Sequence, residues 1–260
     1  MGNATDQDDA GIPSRAARAS SFGDSAAAYA EHRPDYPAEA IRWAVSAIAD
    51  KQPPVVLDLG AGTGKLTTGL LDVGAEVIAV EPDAAMRAEL TRVAPGVTTY
   101  AGSAEAIPLP ARSVDAIIAG QAFHWFDQAA AFPEFARVLR EDGVFAALWN
   151  ADDNTVEWVA GLRQVSRPEH TDQSPSASLD LPKHPLFQDF ETATFTHTQR
   201  RTVESLTATI GTYSHTLIAT PQRRAELLDR VTDYLRGRPE TAQGEFELPL
   251  RTLAIRARLR

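Results

Sequence analysis

Three stretches of this 260-residue chain carry residue types at spacings that could do chemistry. The first is Asp58-Leu59-Gly60-Ala61-Gly62-Thr63-Gly64, an acid followed by glycines on alternate positions. Backbone without Cβ atoms lets a ligand come close. Where such a turn opens a helix, the first N–H groups have no partners inside the helix and can donate to an anion. The second is Glu81, about 20 residues further on, where a carboxylate can accept hydrogen bonds from both hydroxyls of a ribose. The third is Gly120-Gln121-Ala122-Phe123-His124-Trp125-Phe126. His124 is its candidate general base, since an unperturbed imidazole titrates near pH 6.5, about neutral. A histidine wedged among Phe123, Trp125 and Phe126 can equally anchor the loop through hydrogen bonds, and that reading is preferred.

The glycine spacing separates two cofactor classes. A dinucleotide fingerprint G-x-G-x-x-G/A started at Gly60 needs a small residue at Lys65, and started at Gly62 it needs one at Thr67. Neither fits. Asp58 also stands close to where a pyrophosphate needs positive potential. A cofactor bearing a sulfonium and an ammonium group tolerates that acid, and its single carboxylate can still use the helix N-terminus.

Short apolar runs predict buried parallel strands near 55–59, 76–80, 97–101, 114–119 and 144–149. Helical spacing falls between them near 64–73, 83–93, 104–107 and 127–140. That alternation predicts a doubly wound parallel sheet. Pro133 predicts a kink or restart in its helix, and Gly74 and Gly143 are placed to end helices. Residues 1–20 read as a loose tail. Phe22, Ala26, Tyr29 and Ala30 have helical spacing, broken by Pro34 and Pro37. Pro37 opens a helix whose stripe is Ile41, Ala44, Val45, Ile48 and Ala49. Beyond Trp149 come a helix at 156–165, a long loop from Pro168 to Pro185, a strand at 191–197, helices near 203–218 and 221–236, and an alternating strand over 246–259.

Four of these stretches together resemble the class I S-adenosylmethionine-dependent methyltransferases of the type 11 family. Asp58-x-Gly60-x-Gly62-x-Gly64 matches the family's first motif at every fixed position. Val80-Glu81-Pro82-Asp83-Ala84-Ala85-Met86 is similar to the second. Gly102-Ser103-Ala104-Glu105-Ala106-Ile107-Pro108-Leu109-Pro110 is similar to the third, and Ala136 to Gly143 to the turn before strand five. The loop at 120–126 resembles that of a subgroup including trans-aconitate methyltransferase-like proteins.

The resemblance implies a Rossmann-like, doubly wound, seven-stranded sheet, mostly parallel with an antiparallel C-terminal strand, plus a helical cap over the substrate side. Its domains would be a tail (1–20), lid helices and cofactor core (21–149), and the rest of the sheet with the inserted cap (150–260). It implies S-adenosyl-L-methionine as cofactor, S-adenosyl-L-homocysteine as product, and no metal. The cofactor residues it implies are Tyr29, Arg33, Asp58, Gly60, Ala61, Gly62, Gly64, Glu81, Pro82, Met86, Ser103, Ala104, Glu105, Gln121 and Ala122. Among these, Arg33 would pair with the methionyl carboxylate, Ala104 would meet adenine through its N–H, and Gln121 and Ala122 would flank the methionyl part. Ser103 stands where many relatives carry Asp, which shortens that side chain's reach toward adenine. Trp125, Tyr213 and His215 are the candidate substrate contacts.

A net charge of −10 argues against general nucleic-acid binding. With no cysteine there is no thiolate or disulfide chemistry, and the six histidines show no ligand spacing. No apolar run reaches membrane length, and the N-terminus has no signal-peptide character, so a cytoplasmic enzyme acting on a small molecule is expected. A methyltransferase for protein or nucleic acid, or a non-catalytic cofactor-binding protein on the same fold, are the alternatives.

Overall fold

The computed structural model describes residues 33–48, 50, 52–166, 183–213, 216 and 219–260. The tail, the patterned stretch with Tyr29, Ala49, His215 and most of the Pro168–Pro185 loop lie outside the described residues. Pro37 caps α1 (Ala38–Val45), which tightens into a 3₁₀ turn at Ser46–Ile48. The chain continues as β1 (Val55–Leu59), α2 (Lys65–Asp72), β2 (Glu76–Val80), α3 (Ala84–Val93) and β3 (Thr98–Tyr100). Then come β4 (Val114–Gly120), α4 (Gln128–Val138), β5 (Leu139–Asp152) and α5 (Glu157–Val165). The last elements are β6 (Glu191–Arg201), α6 (Val203–Gly211), α7 (Pro221–Arg236) and β7 (Phe246–Arg258).

The strands form one seven-stranded sheet in the order β3-β2-β1-β4-β5-β7-β6. β1 to β5 pair in parallel, and β7 runs antiparallel to both β5 and β6. The chain order reverses between β1 and β4, and in such sheets ligands bind outside the strand ends at that point. Continuous apolar strands are required here because both faces are covered. Leu57, Ile117 and Phe145 face Phe132 and Phe135 of α4 on one side. Val56, Ile118 and Leu148 face Ile41 of α1 and Leu66 and Leu70 of α2 on the other. α5, α6 and α7 build a third core, in which Trp158, Leu206 and Val231 close over Phe246, Leu248 and Leu250 of β7. This is the helical cap.

Four local expectations are corrected. Residues 104–107 form a turn closed by a Ser103–Ala106 bridge instead of a helix. The reason is a clamp from α4: Glu134 accepts from the Ile107 N–H, and Arg137 donates to the Ile107 and Leu109 carbonyls. The helix expected to reach 140 ends at Val138, and Leu139 already pairs with Val114. Gly143 is therefore inside β5 and ends no helix. The bulge there turns on Asp142, whose φ is +61°. α4 is one helix through Pro133, and it starts after Asp127, whose carboxylate accepts the Ala129 N–H. α6 ends at Gly211, capped at Thr212, where one helix near 203–218 was expected; residues 214, 215, 217 and 218 of that span lie outside the described residues. Gly74, at φ +87°, does follow the last turn of α2 as expected.

Candidate functional site

The loop between β1 and α2 bends through three left-handed glycines, Gly60 at φ +71°, Gly62 at +57° and Gly64 at +91°. L-residues with side chains rarely adopt that backbone. At Gly60 space adds to the constraint, since a Cβ there would stand 2.7 Å from the Ala122 Cβ. The loop after β1 and the loop after β4 thus press together at the strand ends. A Cβ at Gly62 would meet nothing within 4 Å, so that side of the loop is an open cradle.

Glu81 closes the loop from β2. Its Oε2 accepts the Gly62 N–H and its Oε1 the Asp83 N–H, both at 2.9 Å. Burial pushes the carboxyl up, while the two backbone donors hold it down. Asp83 caps α3 by accepting the Met86 N–H at 2.9 Å; Met86 is buried and Pro82 is exposed.

Asp58 is fully buried, and its Oδ2 accepts the Thr67 hydroxyl at 2.6 Å. Burial raises its pKa to about 7, with the Glu81 charge adding to the rise and Thr67 opposing it. Its Oδ1 and the Thr63 Oγ1 are buried without a hydrogen-bond partner. Buried polar atoms are seldom left so, and each calls for an explanation. An ammonium donor meets the need of Asp58 Oδ1. The orphaned oxygens, the open side of Gly62 and the paired carboxylate at β2 fit a cofactor with an amino-acid end and a ribose. Thr63 and Thr67 were not singled out from sequence, where a threonine beside a helix start signals only local capping.

Past β3, Ala104 is buried and Ser103 is held in its bridge. Glu105 reaches across to accept the Asp127 N–H at 2.8 Å, joining this turn to the start of α4. Past β4, Gln121 sits at φ +54°, with its N–H on the Leu148 carbonyl and its amide on the Asn150 carbonyl at 2.7 Å. Phe123 and Phe126 are buried against Phe132, Phe135 and Phe145, and Trp125 is half-buried beside them. His124 is exposed, with its ring 4.8 Å from that of Trp125. The Trp149 indole N–H donates to His124 Nδ1 at 3.3 Å.

The segment Arg33–Tyr36 crosses these strand ends as a strap. Asp35 pairs with Lys65 at 2.8 Å, and the Asn150 amide donates to the Pro34 and Asp35 carbonyls. Tyr36 lies so close over Gly120 that a Cβ there would be 2.6 Å from its hydroxyl. At the cap end, Arg33 donates to the Thr212 carbonyl at 3.4 Å and stacks over the Tyr213 ring at 4.6 Å. Burial and the nearby Asp152 hold the Tyr213 phenol well above its ordinary range, so it is a neutral donor. Burial raises Asp152 as well, against the pull of Arg163, Arg33 and Arg201. Arg33 and Tyr213 are thus brought to each other at the seam of strap and cap. Asn150 was missed from sequence, since nothing marks one polar residue at the end of an apolar run. Among the described residues no acid–histidine cluster could hold a metal ion, and no helix is long and apolar enough to cross a membrane.

Comparison with known proteins agrees with this geometry. Residues 57–147 match the family model described as a methyltransferase domain. An uncharacterized methyltransferase of Mycobacterium tuberculosis is 38% identical over 240 residues, which is 92% of this chain and 96% of that one. An uncharacterized methyltransferase of Schizosaccharomyces pombe is 39% identical over 145 residues, 55% of this chain and 58% of that one. A solved structure from Anaeromyxobacter dehalogenans, described as a candidate type II methyltransferase, superposes with a TM-score of 0.65 at 30% identity, covering 86% of this chain and 97% of that one. With the sheet order, the glycine loop and the carboxylate of β2, these similarities place the chain in the class I S-adenosylmethionine-dependent methyltransferase family.

Proposed function

We propose that the protein transfers a methyl group from S-adenosylmethionine to a small-molecule acceptor in the cytoplasm, with an oxygen, carboxylate or hydroxyl, as the preferred acceptor atom. The observation that carries this reading is the strap. Arg33–Tyr36 runs from Lys65 across the ends of β4 and β5 to Thr212 of the cap. A strap across the strand ends suits a small acceptor, while a polymer needs an open groove. The net charge of −10 works against a nucleic acid in the same way.

The chemistry supplied by the bound cofactor is an electrophilic methyl on a sulfonium, open to in-line displacement. The residues assigned to hold it are the Gly60–Gly64 backbone, Asp58 for the ammonium, Glu81 for the ribose, Met86 and Ala104 for adenine, and Gln121 and Ala122 for the methionyl part. Arg33 is assigned to the methionyl carboxylate as well as to the cap seam. Trp125 and Tyr213 are assigned to the acceptor. The protein's part is to orient the acceptor and exclude water. A carboxylate acceptor needs no base. Isotope-labelled cofactor offered with carboxylates, phenols, amines, protein and RNA tests this. Label in the carboxylate or phenol fraction supports it, and label confined to protein or RNA contradicts it.

His124 is assigned to loop positioning. The His124 Nδ1 lone pair, which a general base would need, already accepts the Trp149 indole N–H. His124→Asn, which keeps a donor and an acceptor, is expected to retain activity within about tenfold, with His124→Ala falling further through the loosened loop. A general base would lose roughly 10²–10⁴-fold with either replacement. Rates of both variants across the pH range around the imidazole pKa decide between the two.

A further inference from the structure

The strap is held from the far edge of the sheet by a side-chain chain that no sequence motif contains. The Asn150 Nδ2 protons go to the Pro34 carbonyl at 3.3 Å and the Asp35 carbonyl at 3.1 Å. That use of the amide nitrogen turns Asn150 Oδ1 the other way, where the Thr252 hydroxyl lies at 2.5 Å. A hydroxyl has one proton, and here it is spent on Asn150. The 3.0 Å contact between Thr252 Oγ1 and His197 Nε2 therefore requires the histidine to donate. The direction is fixed throughout: His197 Nε2–H to Thr252, Thr252 to Asn150, Asn150 to the strap.

These residues lie on three neighbouring strands. Asn150 of β5 is in register with Thr252 of β7, and His197 of β6 lies two residues beyond Phe195, the residue of β6 in register with Thr252. Thr252 is fully buried, two residues from Ala254, which is fully buried on the same face of β7. A valine would fill the same volume, and a buried hydroxyl is costly unless its hydrogen bonds are made. The Asn150 carbonyl also takes the Gln121 amide, so one residue ties the strap to the loop after β4. The strap itself belongs to no helix or strand.

We infer that Thr252 is a positioning residue, which through Asn150 sets the strap over the cofactor site, with His197 orienting its hydroxyl. The inference rests on the proposed reading of the strap as the cover of that site. Thr252→Val removes the hydroxyl at constant shape, Thr252→Ser keeps it, and His197→Ala removes the donor from a half-exposed strand. Amide exchange of Asp35 and Tyr36 and calorimetric affinity for S-adenosylhomocysteine are read on each full-length variant, with thermal unfolding alongside. In Thr252→Val, strap exchange and the dissociation constant are expected to rise together about tenfold, the scale of one lost buried hydrogen bond. Thr252→Ser should stay within about twofold of the parent, and His197→Ala should move both readouts about threefold in the same direction. Unchanged strap exchange in Thr252→Val overturns the inference, as does a serine variant that behaves like the valine. If Thr252→Val does not fold, His197→Ala decides alone, with unchanged strap exchange counting against the inference. A parent protein that fails to bind S-adenosylhomocysteine overturns the reading of the site, while strap exchange still decides the role of Thr252.

Discussion

Asp58→Asn is expected to stabilise the protein above neutral pH and to weaken its hold on the cofactor. The carboxyl is fully buried, and its pKa is raised to about 7 from an ordinary 3.8, chiefly by burial. The folded protein therefore binds this proton more tightly than the unfolded chain. Stability from that proton is complete below about pH 4 and is lost as the pH rises through about 7. The loss amounts to at most about 4 kcal/mol, at about 1.4 kcal/mol per unit. Asparagine keeps an oxygen for the Thr67 hydroxyl and does not titrate. Its buried amide protons cost about 1–3 kcal/mol at every pH, leaving a gain of about 1–3 kcal/mol at pH 8 and a net loss of about 1–3 kcal/mol at pH 4. Without the negative charge, an ammonium loses a charge-assisted bond, about 10- to 100-fold in affinity. Urea unfolding from pH 4 to 8 and titration with S-adenosylhomocysteine read both effects. A pH slope as steep in the variant as in the parent contradicts the assignment.

Glu81→Gln is expected to be almost as damaging as Glu81→Ala. If the carboxylate served only the ribose, glutamine would be a mild change, since an amide can still face a diol. Here each carboxylate oxygen already accepts a backbone N–H, from Gly62 and from Asp83. An amide has one acceptor oxygen, so its NH₂ must oppose one of those N–H donors. The glycine loop or the start of α3 then loses its anchor along with the ribose contact. Both variants should weaken S-adenosylhomocysteine binding by about 1–3 kcal/mol, roughly 5- to 150-fold, with faster exchange at the Gly62 amide. Glutamine close to the parent, with alanine alone impaired, would confine Glu81 to the ribose.

β1, β2 and β4 were legible because an apolar run ending in Gly or an acid has one common meaning in a doubly wound sheet. Local pattern misleads where distant residues override it. Glu134 and Arg137 of α4 hold 103–109 in a turn whose spacing alone suggested a helix. The bulge at Arg140–Gly143 is set by pairing with β4, so Gly143 looked like a helix stop. The candidate site divides similarly. The glycines and Glu81 announce themselves by spacing. Asp58 announces itself by type but not by its pKa, which depends on burial. Asn150, Thr252 and His197 meet only because β7 folds back between β5 and β6. No spacing along the chain encodes that meeting.

The central claim is that the loop at Gly60–Gly64 and the carboxylate of Glu81 hold S-adenosylmethionine. The most direct measurement is calorimetric titration of the full chain with S-adenosylmethionine, S-adenosylhomocysteine and NAD in parallel. The account predicts micromolar binding of the first two, about −8 kcal/mol, lost together in Glu81→Ala, and no measurable binding of NAD. Binding of NAD in their place, or affinity for S-adenosylhomocysteine that Glu81→Ala leaves unchanged, would contradict it.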